Sequence, residues 1–249
     1  MILSQIYRTL KSLNLIKSST KKFDIRPLRS INTKNYKIVK VSSFFGFNFS
    51  PPVEARMNNS LITYLQLLAP IPEGDQTLIM ASFRKRIAKE GEYLFKGGYV
   101  CTEMFFICSG VLKITVADEK GADITHYFIK ENQFCTILKS FDNGVNAPEN
   151  IVAACDAEVL AVSRRELLAL YQKLPYLKTL IDQITQQRLL DKIQWRNSYL
   201  GKDAATRYKL FMMQQSDIAL RVSLQDIASY LEITPQSLSR IRKNPLTGI

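Results

Sequence analysis

The sequence predicts an α+β fold in three consecutive parts: a β-barrel of jelly-roll type, one long helix, and an all-α C-terminal domain. Three observations predict it. Between Arg86 and Ser163, short runs of β-branched and aromatic residues are separated by turn residues at intervals of roughly 8 to 12, the pattern of a barrel or sandwich. After Pro175, apolar residues recur at helical spacing for roughly thirty residues. Val222 to Lys243 then hold two short amphipathic helices in close succession, each with its own start signal.

The chain has 249 residues, 46% hydrophobic and 22% charged, enough for a sizeable core without staples. Cys101, Cys108, Cys135 and Cys155 show neither CxxC nor short His/Cys spacing, so no zinc or disulfide framework is expected, and a reducing cytoplasm fits. No apolar run approaches the roughly 18 to 20 residues of a membrane span, and Arg8, Lys11 and Lys17 interrupt what would be a signal peptide. The formal net charge of +12 is unevenly placed. Residues 1–56 carry 11 Lys and Arg against Asp24 and Glu54, leaving 23 basic and 20 acidic residues in the remainder. A phosphate-binding face must therefore be argued locally.

Residues 1–56 form a block apart, dominated by Ser, Lys, Ile, Phe and Asn without a persistent period. They read either as a basic, disordered arm that adds salt-dependent affinity for phosphates or as AT-rich sequence upstream of a true start at Met57, which their residue types favour. The composition also resembles an organellar transit peptide, which nothing later supports.

The barrel domain is expected over 57–172. Leu61, Leu65 and Leu68, then Leu78, Ile79 and Phe83, predict two short helices around the break at Pro70–Gly74, with Asp75 as N-cap of the second. The strands follow, with turns at Gly91, Gly97–Gly98, Ser109–Gly110, Asp118–Gly121, Glu131–Asn132, Asp142–Gly144 and Cys155–Asp156. The long helix spans 173–200. Leu177, Leu180, Ile181, Ile184, Leu189, Leu190 and Ile193 give it an apolar stripe too extensive for a small barrel to cover, so Leu177, Ile181 and Ile184 are expected on a coiled-coil-like seam with a second copy. Packing wholly within its own chain is the alternative, kept open by Arg188 and Asp191 in the stripe.

The terminal domain, 201–249, opens with a helix around Ala204–Gln214. Ser223 is an N-cap, Asp226 favours the positive helix end, and a helix runs from Leu224 to Leu231. Glu232-Ile233 makes the turn, Thr234 caps the second helix, and Pro235 occupies its first position, where a missing N–H costs nothing. Ile227, Leu231, Ile233, Leu238 and Ile241 supply a shared core, and Ala228 allows close crossing. This is a helix-turn-helix. Pro235, Gln236, Ser239, Arg240 and Lys243 face away from that core. Gln236 suits adenine N6/N7 and Arg240 guanine O6/N7, while Ser223, Thr234 and Ser237 at the helix starts suit phosphates. Arg242 and Lys243 with Arg221 make a local positive surface beside Asp226 and Glu232.

With barrel, long helix and helix-turn-helix in that order, the chain resembles the Crp/Fnr family over roughly residues 60–244. ITPQSLSRIRK at 233–243 is the most specific motif and is similar to a subgroup common in Bacteroidetes; KEGEYLFKGG at 89–98 and FFICSGVLKI at 105–114 resemble the family's opening strands. The resemblance implies a cyclic-nucleotide-binding-like barrel and a cytoplasmic homodimer. It would read a pseudopalindromic site on double-stranded DNA through Gln236 and Arg240, with RNA polymerase as a further partner. Pro235 stands where some relatives carry Arg. An effector pocket would involve Phe134, Thr136, Leu138 and Asn150.

The sequence departs from the family pattern in three places. Cyclic-AMP binders place a Gly-Glu pair and then Arg-Ser/Thr-Ala where this chain reads NQFCTILKSF at 132–141 and PENIVA at 148–153. With no carboxylate for the ribose and no Arg for the phosphate, cyclic AMP is not expected; no cofactor is assigned and the effector stays open. Glu232 holds a turn position where Gly is usual. The few residues after Lys243 leave any β-wing short or missing.

Other chemistry finds little support. Cys101 and Cys108 are expected on opposite strand faces, so they do not share a metal; the only histidine, His126, reads as a strand histidine rather than a haem ligand. No catalytic set or phosphate-cradling glycine loop occurs, so an enzyme is not expected. The reading that emerges is a dimeric DNA-binding transcription regulator. Its rival is a regulatory module whose helical tail docks a protein partner.

Overall fold

The structure, a computed structural model, describes residues 53–119 and 121–243, with the side chains of 53–59 left aside. The expectations for 1–52 and for a β-wing after Lys243 lie outside these residues. Helix α1 (Val53–Gln66) runs across Met57 and is followed by α2 (Glu73–Ser82). Pro72 precedes the first turn of α2, so Asp75 is not the N-cap; it lies inside the helix, where its carboxylate accepts from the Tyr176 hydroxyl at 2.7 Å.

Eight strands follow: β1 (Arg84–Ala88), β2 (Tyr93–Phe95), β3 (Glu103–Ser109), β4 (Leu112–Ala117), β5 (Asp123–Ile129), β6 (Phe134–Cys135), β7 (Glu149–Ala153) and β8 (Ala157–Ser163), with a short helix α3 (Leu138–Asn143) after β6. They form two antiparallel sheets, in the orders β1-β8-β3-β6 and β2-β7-β4-β5. This is the double-sheet arrangement of a jelly roll. The turn between β3 and β4 requires glycine: Gly110 has φ +90°, and a Cβ there would lie 2.3 Å from the Asp156 carbonyl oxygen. Asp142–Gly144 closes α3, with Gly144 in the left-handed region at φ 67°.

Strand alternation sorts the core into layers. Phe105 and Ile107 of β3 and Val159 and Ala161 of β8 point between the sheets, meeting Leu112, Ile114, Ile129 and Ile151 of the other sheet. Their neighbours Met104, Phe106, Leu160 and Val162 point outward into a second apolar layer under the helices. Both faces of β3 and β8 are thus buried, which explains their nearly unbroken apolar sequence.

Helix α4 (Arg164–Lys173) starts at a capping box, in which Ser163 and Glu166 satisfy each other's backbone N–H. After Leu174 comes α5 (Pro175–Tyr199), 25 residues long. Leu177, Ile181 and Ile184, expected on a seam with a second copy, are instead buried within their own chain, packed with Leu61, Leu65, Phe106 and Leu167. The outer sheet face and α1 supply the cover that periodicity could not reveal. The aliphatic residues α5 leaves exposed are Leu189, Leu190 and Ile193, farther along. No helix among the described residues is long and apolar enough to cross a membrane.

The last three helices are α6 (Ala204–Ala219), α7 (Leu224–Tyr230) and α8 (Pro235–Lys243). Gln215 breaks α6 with φ −141°; its buried amide donates to the Tyr230 hydroxyl at 3.2 Å.

Candidate nucleic-acid interface

Local hydrogen bonds set the two crossed helices. The Ser223 hydroxyl accepts from the Asp226 N–H at 3.0 Å to start α7, and the Thr234 hydroxyl accepts from the Ser237 N–H at 3.1 Å to start α8. Between them Glu232 adopts φ 55°, the left-handed conformation that a glycine would take more cheaply. Phe211, Ile227, Ala228, Leu231 and Leu238 are buried together and fix the crossing.

Leu238 anchors the inner face of α8, and the outer face is polar. Pro235, Gln236, Arg240 and Lys243 are exposed; Ser237 and Ser239 are half-buried. Arg240, Arg242 and Lys243 lie in the last turn. The Gln236 amide and Arg240 guanidinium are therefore presented side by side, one helical turn apart, on a rigid element.

The starts of α7 and α8 face the sheets. Ser223, Thr234 and Pro235 border a cleft whose other wall carries Glu90, Lys113 and Asp123. Across this junction Val111, Phe128 and Ala154 join the helical core. The Lys113 ammonium donates to the Asp226 carboxylate, with only 18% and 14% of the two side chains exposed. Arg221 grips Glu131 through both terminal guanidinium nitrogens, Lys130 pairs with Asp217 at 2.6 Å, and the Thr125 N–H donates to Ser229 Oγ at 2.9 Å. Burial would raise the Glu131 carboxyl, but hydrogen bonds from Arg221 and from backbone amides, that of Gly110 included, outweigh it and hold the group below its ordinary value. Arg221 is consequently committed to the barrel, and the positive surface expected of it with Arg242 and Lys243 loses that member. Sequence gave no signal for these partners.

The residues expected around an effector are only partly gathered. Phe134, Thr136 and Leu138 line a cavity of about 40 Å³ closed by Arg188, Leu189 and Lys192 of α5. That is room for about one water. Asn150 is not among them; it accepts from the Gly97 N–H at 2.8 Å and donates to Thr115 and Asp123, fastening strand ends. The Lys192 ammonium lies 4.8 Å from the Tyr127 ring centroid, a cation–π distance. The thiols of Cys101 and Cys135 are buried, and no group of three or more metal-ligating side chains occurs among the described residues.

Residues 85–174 match the family model of the cyclic nucleotide-binding domain. No curated protein matches the chain in sequence. Among solved structures, the c-di-GMP-responsive global regulator CLP of Xanthomonas campestris superposes with a TM-score of 0.59 at 16% identity, over 71% of this chain and 93% of that one. A protein described as a Crp/Fnr-family transcriptional regulator from Eubacterium rectale gives 0.58 at 18% identity, over 75% and 89%. FixK2 from Bradyrhizobium japonicum gives 0.56 at 16%, over 67% and 86%. Residues 85–174 thus match the cyclic nucleotide-binding domain, and the described residues share the fold of these solved regulators.

Proposed function

We propose that this protein is a DNA-binding transcription regulator. It acts as a homodimer, reads a pseudopalindromic site with α8, and is regulated through its jelly-roll domain. The observation that carries this reading is the division of α8 into a buried Leu238 face and an exposed face bearing Gln236, Arg240 and Lys243. An amide and a guanidinium on one rigid helix suit the major-groove edges of adenine and guanine. Leu189, Leu190 and Ile193 supply the apolar surface along which α5 pairs with its copy. The docking of α7 and the segment before it on the sheets, through Lys113–Asp226 and Arg221–Glu131, is the contact that a regulatory reorientation has to break.

Cyclic AMP is not the effector in this reading. The cavity among Phe134, Thr136 and Leu138 is far smaller than a nucleotide, and its barrel residues include neither a carboxylate nor an arginine, the one arginine at its wall, Arg188, coming from α5. A gel-shift titration against a selected duplex tests the main reading. Gln236→Ala or Arg240→Ala should weaken the sequence-specific complex by about 1–3 kcal/mol while leaving the weak, salt-sensitive background binding unchanged. Binding that is absent, or indifferent to both changes, refutes the reading and favours a tail that docks a protein.

A further inference from the structure

A second cavity, of about 230 Å³, lies where four elements converge: β5 at the sheet edge, the end of α5, the first turns of α6, and the end of α7 with the turn that follows it. It is separate from the space around Phe134 and Thr136. Its walls carry two guanidinium groups, Arg196 and Arg207, against one carboxylate, Glu232, together with the rings of Tyr127, Tyr199 and Tyr230 and the imidazole of His126.

The charges are poorly satisfied. Glu232 lies 3.6 Å from Arg196 and 3.8 Å from Arg207, longer than the roughly 2.7–2.9 Å of a good charged hydrogen bond. Its side chain is 67% exposed, where such pairing contributes little. Arg207 is only 20% exposed; Nη2 reaches the Glu232 carbonyl at 3.4 Å, and Nε is buried with no hydrogen-bond partner. A buried N–H left unpaired is costly and rare. Arg207 Nε thus lacks an acceptor, and the two terminal nitrogens of this guanidinium at the cavity wall have only long contacts to Glu232.

We propose that this cavity is a binding site for a small planar anion, specifically a single-ring aromatic carboxylate. The carboxylate displaces Glu232 and pairs with Arg207 and Arg196, while the ring lies among the tyrosines. Three features select this class. The volume is below the roughly 300–1,000 Å³ of drug-sized sites, which suits a single ring better than a nucleotide. The two arginines outnumber the single carboxylate. Burial and the nearby Arg196 charge lower the His126 imidazole below its ordinary value, so near neutral pH it is an uncharged hydrogen-bonding group at the wall. An occupant touches the barrel, the long helix and the turn before α8 at once. Occupancy does not depend on whether α8 contacts DNA.

Calorimetric titration of the full chain with benzoate tests the proposal, with benzamide as the neutral counterpart and inorganic phosphate as the anion without a ring. Benzoate should bind, with both comparison molecules weaker by at least about tenfold. Arg207→Met should weaken benzoate by at least about tenfold, and Glu232→Gln should strengthen it, because the competing carboxylate is gone. The second variant alters an exposed side chain, so a gain cannot arise from misfolding. No benzoate binding at millimolar concentration, equal binding of benzamide, or affinity unmoved by both variants overturns the proposal.

Discussion

The ion pair between Lys113 on β4 and Asp226 on α7 is the most shielded charged contact between the sheets and the terminal helices, and neutralising one partner should be more damaging than neutralising both. Each side chain is less than one-fifth exposed. Asp226→Asn leaves the Lys113 ammonium in a poorly solvated place without a counter-charge. Losing one member of a fully buried pair costs about 3–5 kcal/mol, and the residual exposure reduces this to about 2–3 kcal/mol. Lys113→Met together with Asp226→Leu removes both charges and keeps side-chain bulk, so it should cost less than about 1 kcal/mol beyond the loss of Asp226 at the helix start. A double-mutant cycle built from Lys113→Met, Asp226→Leu and the two combined, read by urea unfolding and circular dichroism, should therefore return a coupling of at least about 2 kcal/mol, roughly a 30-fold change in equilibrium constant or more. A coupling below about 0.5 kcal/mol, the value of an ordinary surface pair, would refute the view that this pair fastens the helices to the barrel.

Other consequences concern the turns and the single histidine. Glu232→Gly relieves the left-handed backbone at φ 55° and should raise stability by up to about 1 kcal/mol in chemical denaturation; a loss would show that the Arg196 and Arg207 pairs matter more. Gly110→Ala should cost at least about 2 kcal/mol, since its Cβ would meet Asp156 O at 2.3 Å and Ala157 Cα at 2.6 Å, and near-neutrality would contradict the packing described. Burial first, and then Arg196, lower the His126 pKa from its ordinary 6.5, with Glu149 and Glu232 opposing. The unfolded chain then binds this proton more readily, so stability is lost as pH falls below about 6.5. His126→Gln should flatten that loss between about pH 7 and 5; an unchanged slope would remove His126 as its cause.

What the sequence disclosed depended on how far apart the interacting residues stand. Ser223 with Asp226 and Thr234 with Ser237 are three residues apart, so composition at fixed spacing was enough to find both helix starts. Turn residues such as Gly110 and Gly144 marked the strand-rich region in the same local way. Periodicity showed that Leu177, Ile181 and Ile184 form a stripe but not what covers it, because the cover comes from Leu61, Leu65 and Phe106, far away in the chain. Arg221 looked available for phosphate because Glu131 is 90 residues distant, and the Lys113–Asp226 pair spans 113. Such charge pairs follow from sheet register and domain docking, which no short window encodes. Helix α3, only six residues long, has too little length to display a period.

The central claim is that α8 reads bases through Gln236 and Arg240. Selection of bound duplexes from random DNA, run in parallel with wild-type protein and Arg240→Ala, tests it most directly. The wild type should enrich a two-fold-symmetric motif. The variant should bind the same motif with one base position per half-site relaxed and affinity reduced by about 1–3 kcal/mol. Failure of the wild type to enrich any sequence, or an identical motif and affinity from both proteins, would contradict the claim.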